Sequence, residues 1–175
     1  MTTMADATKA ITNLCALFEE LGLGDPFGAG RAREAILADF LGHKLGDDLQ
    51  GCDAYDDEGN LYEYKTVLAD PDAPQASIRE KIAGRYDVCD RPDWDSFVKY
   101  LQEEKIANNK FHYYASFDAK MRLLRVYEMA GQTTLDLLLP KLERKFYQDK
   151  SELSSPVLHA TLTAKDIREN ATRLL

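Results

Sequence analysis

The 175-residue sequence lacks the features that mark membrane and secreted proteins. No apolar run approaches the ~20 residues that a membrane-spanning helix needs. The first nine residues contain no basic segment followed by an apolar stretch, as a secretion signal would. The three cysteines, Cys15, Cys52 and Cys89, are widely spaced and contain no C-x-x-C pair, which argues against a disulfide scaffold or a zinc ribbon. These absences predict a cytoplasmic globular protein that does not enter a membrane.

Positive charge is also scarce, since 22 Lys and Arg face 30 Asp and Glu, for a net charge of −8. This balance argues against a protein that coats nucleic acid through charge alone, but not against one that reaches phosphates through bound metal ions. The excess of acidic over basic residues is confined to one part of the chain. Residues 45–95 contain 14 acidic and 5 basic residues, whereas residues 110–150 contain 5 acidic and 8 basic ones. Length and a hydrophobic fraction of 45% predict one domain, residues 1–175, with its own core.

Hydrophobic periodicity predicts an α/β (α+β) fold with a central mixed β-sheet flanked by helices. Helices are predicted at Asp6–Leu21, Arg31–Leu41, Trp94–Ala107, Thr133–Tyr147 (with a kink or a fresh start at Pro140) and from Ala164 onward. Strands are predicted at Cys52–Asp56, Leu61–Leu68, Phe111–Phe117, Met121–Met129 and Val157–Thr163. Residues 69–95 are predicted to be a long loop with one helical piece, Gln75–Tyr86.

The first predicted hairpin contains the most informative run of the chain, G-C-D-A-Y-D-D-E-G-N-L-Y-E-Y-K at residues 51–65. Strand side chains at i and i+2 point the same way, so Glu63 and Lys65 share a face. The tight turn at residues 57–60 brings Asp53 beside them. Two carboxylates and a backbone carbonyl form a hard-oxygen site suited to Mg²⁺. A nearby lysine can orient a water molecule or stabilise charge on a phosphate.

Spacing alone leaves a second interpretation of Glu63 and Lys65, a simple ion pair on a strand surface. The same E-x-K pattern occurs at residues 103–105 and 143–145. Both of those pairs lie on predicted helices, where side chains at i and i+2 do not face each other. We interpret them as solvated surface charge.

The run at residues 51–65 resembles that of PvuII-like type II restriction endonucleases, which belong to the PD-(D/E)xK nuclease superfamily. A second, weaker resemblance follows the second predicted hairpin, in L-E-R-K-F-Y at residues 142–147 and S-P at residues 155–156. Together the two segments extend from Gly51 to about Thr163 in consistent order. The resemblance implies a restriction-endonuclease-like fold.

The resemblance also implies roles for four residues. Asp53 and Glu63 correspond to the Mg²⁺ ligands, the carbonyl of Tyr64 to a further ligand, and Lys65 to the catalytic lysine. Mn²⁺ is expected to substitute for Mg²⁺. The implied activity is sequence-specific cleavage of double-stranded DNA that leaves 5′-phosphate and 3′-hydroxyl ends. Implied partners are a second copy of the chain and a cognate DNA methyltransferase encoded nearby.

Two departures from the family pattern affect these expectations. Related enzymes carry a further carboxylate three residues before the Asp, where this chain has Gln50, so a second metal ion would be held differently or not at all. The family's histidine cluster is also missing, because no histidine lies between His43 and His112. Glu34, on the helix before the motif, is either linked to the metal or a first-turn residue that favours the helix dipole.

The segment after the catalytic strand is the candidate for base recognition. It contains Gln75, Ser77, Arg79 and Arg85, and Arg and Gln make bidentate contacts with base edges. Any one of these residues alone is more typical of surface charge. Arg33, on the helix before the motif, is expected to pair with a carboxylate or to contact phosphate.

The first helix, residues 6–21, is a candidate dimerisation helix. Its apolar stripe lies outside the α/β core by chain order and consists of Ile11, Leu14, Leu17, Phe18 and Leu21. The alternative is that this stripe packs on its own domain. Two other functions remain open: a structure-specific or repair nuclease of the same superfamily, and a non-enzymatic acidic protein that mimics DNA.

Overall fold

The computed structural model describes residues 2–28, 30–46, 52–149 and 157–175. Within them the chain forms helices α1 (Met4–Glu20), α2 (Arg31–Leu41), α3 (Ala76–Arg79), α4 (Trp94–Tyr100), α5 (Gly131–Asp149) and α6 (Ala164–Asn170). The strands are β1 (Lys44–Leu45), β2 (Ala54–Tyr55), β3 (Leu61–Leu68), β4 (Gly84–Cys89), β5 (Phe111–Phe117), β6 (Leu123–Ala130), β7 (Val157–Leu162) and β8 (Thr172–Arg173). The predicted α/β fold, with a mixed central sheet flanked by helices, is confirmed. No described helix is long and apolar enough to cross a membrane.

The central sheet contains six strands in the order β1-β2-β3-β5-β6-β8. Strands β3 and β5 are parallel, whereas every other neighbouring pair is antiparallel. A parallel pair needs a crossover connection, which α3, β4 and α4 supply here. Strand β3 therefore lies in the middle of the sheet.

The two faces of the sheet pack against different apolar clusters. On one face, α2 contributes Leu37 and Ala38 to a cluster that also contains Tyr62, Tyr64 and Tyr113. On the other face, a larger cluster joins α4, α5 and α6 to β4 and β7. Successive side chains of a strand point to opposite faces. The tyrosines of β3 therefore face α2, and Glu63 and Lys65 face the other way.

Strands β4 and β7 form a separate antiparallel pair, here called the β4–β7 ribbon. The helix predicted over Gln75–Tyr86 is wrong beyond Arg79, where α3 ends and the chain continues into β4. Buried residues alternate with exposed ones along β4, as in a half-buried strand. Gly84 permits close packing there, because a Cβ on it would lie 2.5 Å from the ring of Tyr114.

Other boundaries differ more modestly from the predictions. The first strand of the motif hairpin is Ala54–Tyr55 rather than Cys52–Asp56, because the Asp56 carboxylate accepts the amide N–H of Glu58 and of Asn60 and turns the chain. The helix predicted at residues 94–107 changes after Tyr100 into a π-helical segment, Leu101–Lys105. Helix α5 runs without interruption from Gly131 to Asp149 and contains Pro140, so no fresh start occurs there. The predicted bounds of α2 and β5 are confirmed.

Helix α1 is largely exposed along its length. It begins with a capping box between Thr3 and Asp6. Phe18 is buried, but Ile11, Leu17 and Leu21 are 52%, 55% and 68% exposed. Three of the five residues of the apolar stripe are therefore exposed on the chain, and the role of the stripe in dimerisation stays a prediction.

Candidate active site

The hairpin between β2 and β3 is fixed by the side chain of Asp56. Its carboxylate accepts a hydrogen bond from the Tyr62 hydroxyl at 2.6 Å and from the Asn60 side-chain amide at 2.7 Å. These two bonds, in that order, lower the pKa of Asp56. Gly59 completes the turn with a φ of +81°, a conformation that glycine adopts without strain. The hairpin thereby holds the residues before β2 against β3.

Asp53 lies beside the edge of β3, just beyond the residues of β3 that pair with β2. Strand β2 pairs with β3 only at Leu61 and Tyr62, and the Asp53 carboxylate then accepts the N–H of Tyr64 at 2.6 Å. The N–H and C=O of one strand residue point to the same side of the strand. The carbonyl of Tyr64 therefore points to the edge where Asp53 lies, as the predicted metal ligand set requires.

Glu63 and Lys65 contact each other on the face of β3 opposite α2. The Lys65 ammonium donates a hydrogen bond to Glu63 Oε1 at 2.5 Å, and Glu63 is buried with 7% exposure. The ammonium also lies over the ring of Tyr86, 4.8 Å from its centroid, in a cation–π contact. Two contacts therefore hold the lysine, an anion beside it and an aromatic ring beneath it.

A buried hydrogen-bonded chain fixes the Tyr86 ring. Nε2 of His112 donates to the carbonyl of Ile106 at 2.9 Å, so in the neutral imidazole Nδ1 accepts from the Tyr86 hydroxyl at 2.9 Å. The Tyr86 oxygen then accepts from the Tyr114 hydroxyl at 2.8 Å. Burial lowers the pKa of His112 to about 4, which keeps the ring neutral at pH 7. His112 is therefore a buried structural residue with both ring nitrogens hydrogen-bonded.

Asp53 and Glu34 are partly buried near other negative charge, which disfavours their ionised forms. Burial, followed by the negative charge of Glu63, raises the pKa of Asp53 from 3.8 to about 7. Burial also raises the pKa of Glu34, although Arg31, with Nη1 3.5 Å from the Glu34 carboxylate, opposes the rise. A bound divalent cation would stabilise the ionised form of each of these groups.

The donor set suits Mg²⁺, which takes one or two carboxylates and keeps several other oxygen ligands. Asp53 and the Tyr64 carbonyl are hard oxygen donors at one edge of β3, and Glu63 is a carboxylate on the adjoining face. Within the described residues, no three His, Cys, Asp or Glu side chains are arranged to hold a metal ion by themselves. Water and substrate phosphate would fill the other coordination positions of such an ion.

Helix α2 contributes a second wall to the site. Gly30 is the N-cap of this helix, and its φ of +103° lets the backbone pass close to the side chains of Arg33 and Glu34. Arg33 Nε donates to the Thr66 hydroxyl of β3 at 2.9 Å, which ties the helix to the strand. Glu34 lies in the first turn of the helix and also lines the site. This position is compatible with both interpretations of Glu34, a residue linked to the metal and a first-turn residue that favours the helix dipole.

These residues enclose a cleft of about 350 Å³. Its lining includes Arg33, Glu34, Asp53, Tyr64, Lys65, Thr66, Val67, Ala83, Arg85 and Thr161. Because Arg85 and Thr161 belong to the β4–β7 ribbon, the cleft lies between β3 and that ribbon. The cleft is open to the surface.

The structure places the four predicted recognition residues in two different regions. Arg85 lines the cleft, whereas Gln75, Ser77 and Arg79 lie at α3. The Arg79 guanidinium donates to the carbonyls of Ala73 and Pro74 at 2.9 and 2.7 Å, so it stabilises its own loop. Base recognition by these residues stays a prediction. Gln50 lies outside the described residues.

Two residues that contact the site were not identified from the sequence. Tyr86 falls in the segment interpreted as loop and helix, and Arg31 was not singled out. Arg31 donates to the carbonyls of Leu23 and Gly46 at 2.8 and 2.6 Å and thus holds the chain on both sides of α2. Alternation of apolar and charged residues along 84–89 could have indicated the strand that presents Tyr86.

The other two E-x-K pairs lie away from this cleft. Glu103 and Lys105 are in the π-helical segment, and Glu143 and Lys145 are in α5, as the sequence predicts. Glu103 faces Lys99 across one helical turn, at 3.9 Å between exposed groups. The interpretation of this pair as surface charge agrees with its position.

Comparison with known proteins gives no family assignment. The sequence matches no family model, and no curated protein shows significant similarity to it. The function is therefore argued from the geometry of the site and from the motif at residues 51–65.

Proposed function

We propose that the chain is a Mg²⁺-dependent endonuclease that cuts double-stranded DNA at specific sequences, in the manner of type II restriction enzymes. The observation that supports it best is that Asp53, Tyr64 and Lys65 line one cleft, with Glu63 hydrogen-bonded to Lys65 beside it. These are the residues that the motif resemblance assigns to catalysis. Their proximity beside a surface cleft favours catalysis over a surface ion pair.

Asp53, Glu63 and the Tyr64 carbonyl would hold Mg²⁺, with Mn²⁺ as a substitute. When bound, such an ion polarises a phosphate and lowers the pKa of a coordinated water. The Lys65 ammonium, held between Glu63 and Tyr86, is placed to orient the attacking water and to stabilise charge that develops on the phosphate. Cleavage of the P–O3′ bond would leave 5′-phosphate and 3′-hydroxyl ends.

The net charge of −8 does not contradict DNA binding at this site. Part of the acidity belongs to Asp53, Glu63 and Glu34, which favour a cation and through it a phosphate. Arg33 and Arg85 add positive charge to the walls of the same cleft. Affinity for DNA without the cation is expected to be weak.

A twofold dimer would complete the proposed enzyme. One chain offers one site, and cutting both strands of a duplex symmetrically takes two. The exposed residues of α1, among them Ile11 and Leu17, provide an apolar surface for the second copy. Such a dimer would recognise a palindromic sequence.

Incubation of the protein with plasmid and phage DNA in Mg²⁺, followed by sequencing of the ends, tests this proposal. Discrete fragments with 5′-phosphate ends are expected. Ca²⁺ should support binding without cleavage, because it fills oxygen sites but activates water less well. A smear or nicking at junctions would indicate the structure-specific nuclease, and no cleavage with any divalent ion would refute the proposal.

Variants of the site separate catalysis from folding. Lys65→Ala should slow cleavage at least about 100-fold while leaving the circular dichroism spectrum unchanged, because Lys65 acts on charge that develops during the reaction. Glu103→Ala, from an E-x-K pair outside the cleft, is the matched control and should cleave like wild type. Full activity in Lys65→Ala would show that the motif is misassigned.

A further inference from the structure

A second groove continues the catalytic cleft along the surface. Its volume is about 350 Å³, and it lies between α5 and the β4–β7 ribbon. Its lining consists of Arg85, Lys141, Arg144, Lys145, His159, Ala160 and Thr161. Arg85 and Thr161 line the catalytic cleft as well, so the two spaces meet at these residues. We call this space the basic groove.

The basic groove is cationic although the chain as a whole is acidic. Four of its lining side chains are Lys or Arg, and none of the described lining residues is a carboxylate. Lys141, Arg144 and Lys145 lie three and four positions apart on α5, so they share one face of that helix. Three of the eight basic residues of segment 110–150 thus line this groove.

Some of this charge is already balanced by neighbouring carboxylates. Lys141 Nζ lies 2.7 Å from Asp166 and donates to the carbonyl of Thr161 at 3.0 Å, so it joins α5 to the ribbon. Asp87 contacts both Arg85 and His159 on the exposed face of the ribbon. Arg144 and Lys145 are therefore the cations best placed to supply the surplus charge of the groove.

We propose that the basic groove binds backbone phosphates of DNA on one side of the phosphate that is cut. This proposal rests on the function proposed above, because the groove begins where that function places the scissile phosphate. A strand leaving the catalytic cleft past Arg85 meets Lys145 and Arg144 next. Contacts of this kind fix the position of the duplex without reading its sequence.

Removal of two groove charges tests the proposal through the salt dependence of binding. Arg144→Gln with Lys145→Gln should lower the slope of log K against log salt by about 1.8, since each phosphate contact contributes about 0.9. Affinity near 0.1 M salt should fall by about 10- to 100-fold for specific and unrelated duplexes alike. Fluorescence anisotropy with a labelled 30-bp duplex in Ca²⁺ measures both quantities.

The cleavage rate at subsaturating DNA gives a second readout, since the double variant should lose about the same 10- to 100-fold there as it loses in affinity. Lys99→Gln with Lys120→Gln is the matched control. It removes the same charge from exposed positions elsewhere and should leave the salt slope unchanged.

Each outcome has a distinct meaning. Wild-type protein that neither binds nor cleaves DNA refutes the proposed function. Wild-type cleavage together with an unchanged slope in the double variant refutes the groove assignment alone, as does an equal loss of affinity in the control pair. Competition by polyglutamate as effective as that by DNA of equal charge would assign the groove to an acidic polypeptide and overturn the DNA assignment.

Discussion

Replacement of Asp53 by asparagine should stabilise the metal-free protein above pH 7 and abolish cleavage. Burial and the charge of Glu63 raise the Asp53 pKa from 3.8 to about 7. Between these values the folded protein keeps a proton that the unfolded chain releases, so wild-type stability falls as the pH rises through this window. Asparagine carries no charge, and its side-chain oxygen can still accept the Tyr64 N–H. The rise in pKa corresponds to a gain of up to about 4 kcal/mol at pH 8.

Urea unfolding in EDTA, followed by circular dichroism at several pH values, measures this effect. The stability difference between Asp53→Asn and wild type should grow by about 3 kcal/mol from pH 5 to pH 8. Titration of His112 occurs in both proteins and cancels in the difference. Added Mg²⁺ should stabilise the wild type and have little effect on the variant.

The control for this prediction is Asp56→Asn in the same hairpin. Hydrogen bonds from Tyr62 and Asn60 lower the Asp56 pKa, so its ionised form favours folding and the substitution should destabilise the protein at neutral pH. Opposite signs for the two aspartates are therefore expected. A stability difference for Asp53→Asn that stays constant from pH 5 to pH 8 would refute the argument from burial.

Three further predictions concern other parts of the molecule. The stability of His112→Gln relative to wild type should rise by about 3 kcal/mol from pH 7 to pH 4 in urea unfolding, because the unfolded wild-type chain protonates His112 near pH 6.5 and the folded protein only near pH 4, whereas the titration of Asp53 is common to both proteins. Tyr86→Leu should slow single-turnover cleavage about tenfold more than Tyr86→Phe, since the ring supports Lys65; equal rates in rapid-quench assays would contradict this. Ile11→Asp with Leu17→Asp should give monomers that nick DNA, and light scattering that still finds a dimer would exclude α1 as the interface.

The geometry of the motif hairpin could be predicted from the sequence because it depends on local rules. Strand alternation gives Glu63 and Lys65 a common face, and a tight turn returns Asp53 to the same strand. The structure brings all three together. What local rules cannot supply is the environment of Lys65, since Tyr86 reaches it from another sheet.

The error at β4 has the same origin. This strand pairs with β7, so that Tyr86 is opposite Ala160, and no local signal connects segments so distant in the chain. Charged residues at 85 and 87 and the surrounding Asp and Pro favoured a loop. The strand forms because pairing with β7 and burial of Tyr86 and Val88 outweigh local composition.

The position of Asp53 also bears on the solubility of the protein. Beyond Tyr62, no described strand pairs with the outer edge of β3, and such an edge can recruit a strand from another molecule. The Asp53 carboxyl group accepts the N–H of Tyr64 at this edge and so occupies that donor. A shorter side chain without this oxygen would leave that amide open to intermolecular pairing. The residue proposed for metal binding thus also protects the chain from edge-to-edge aggregation.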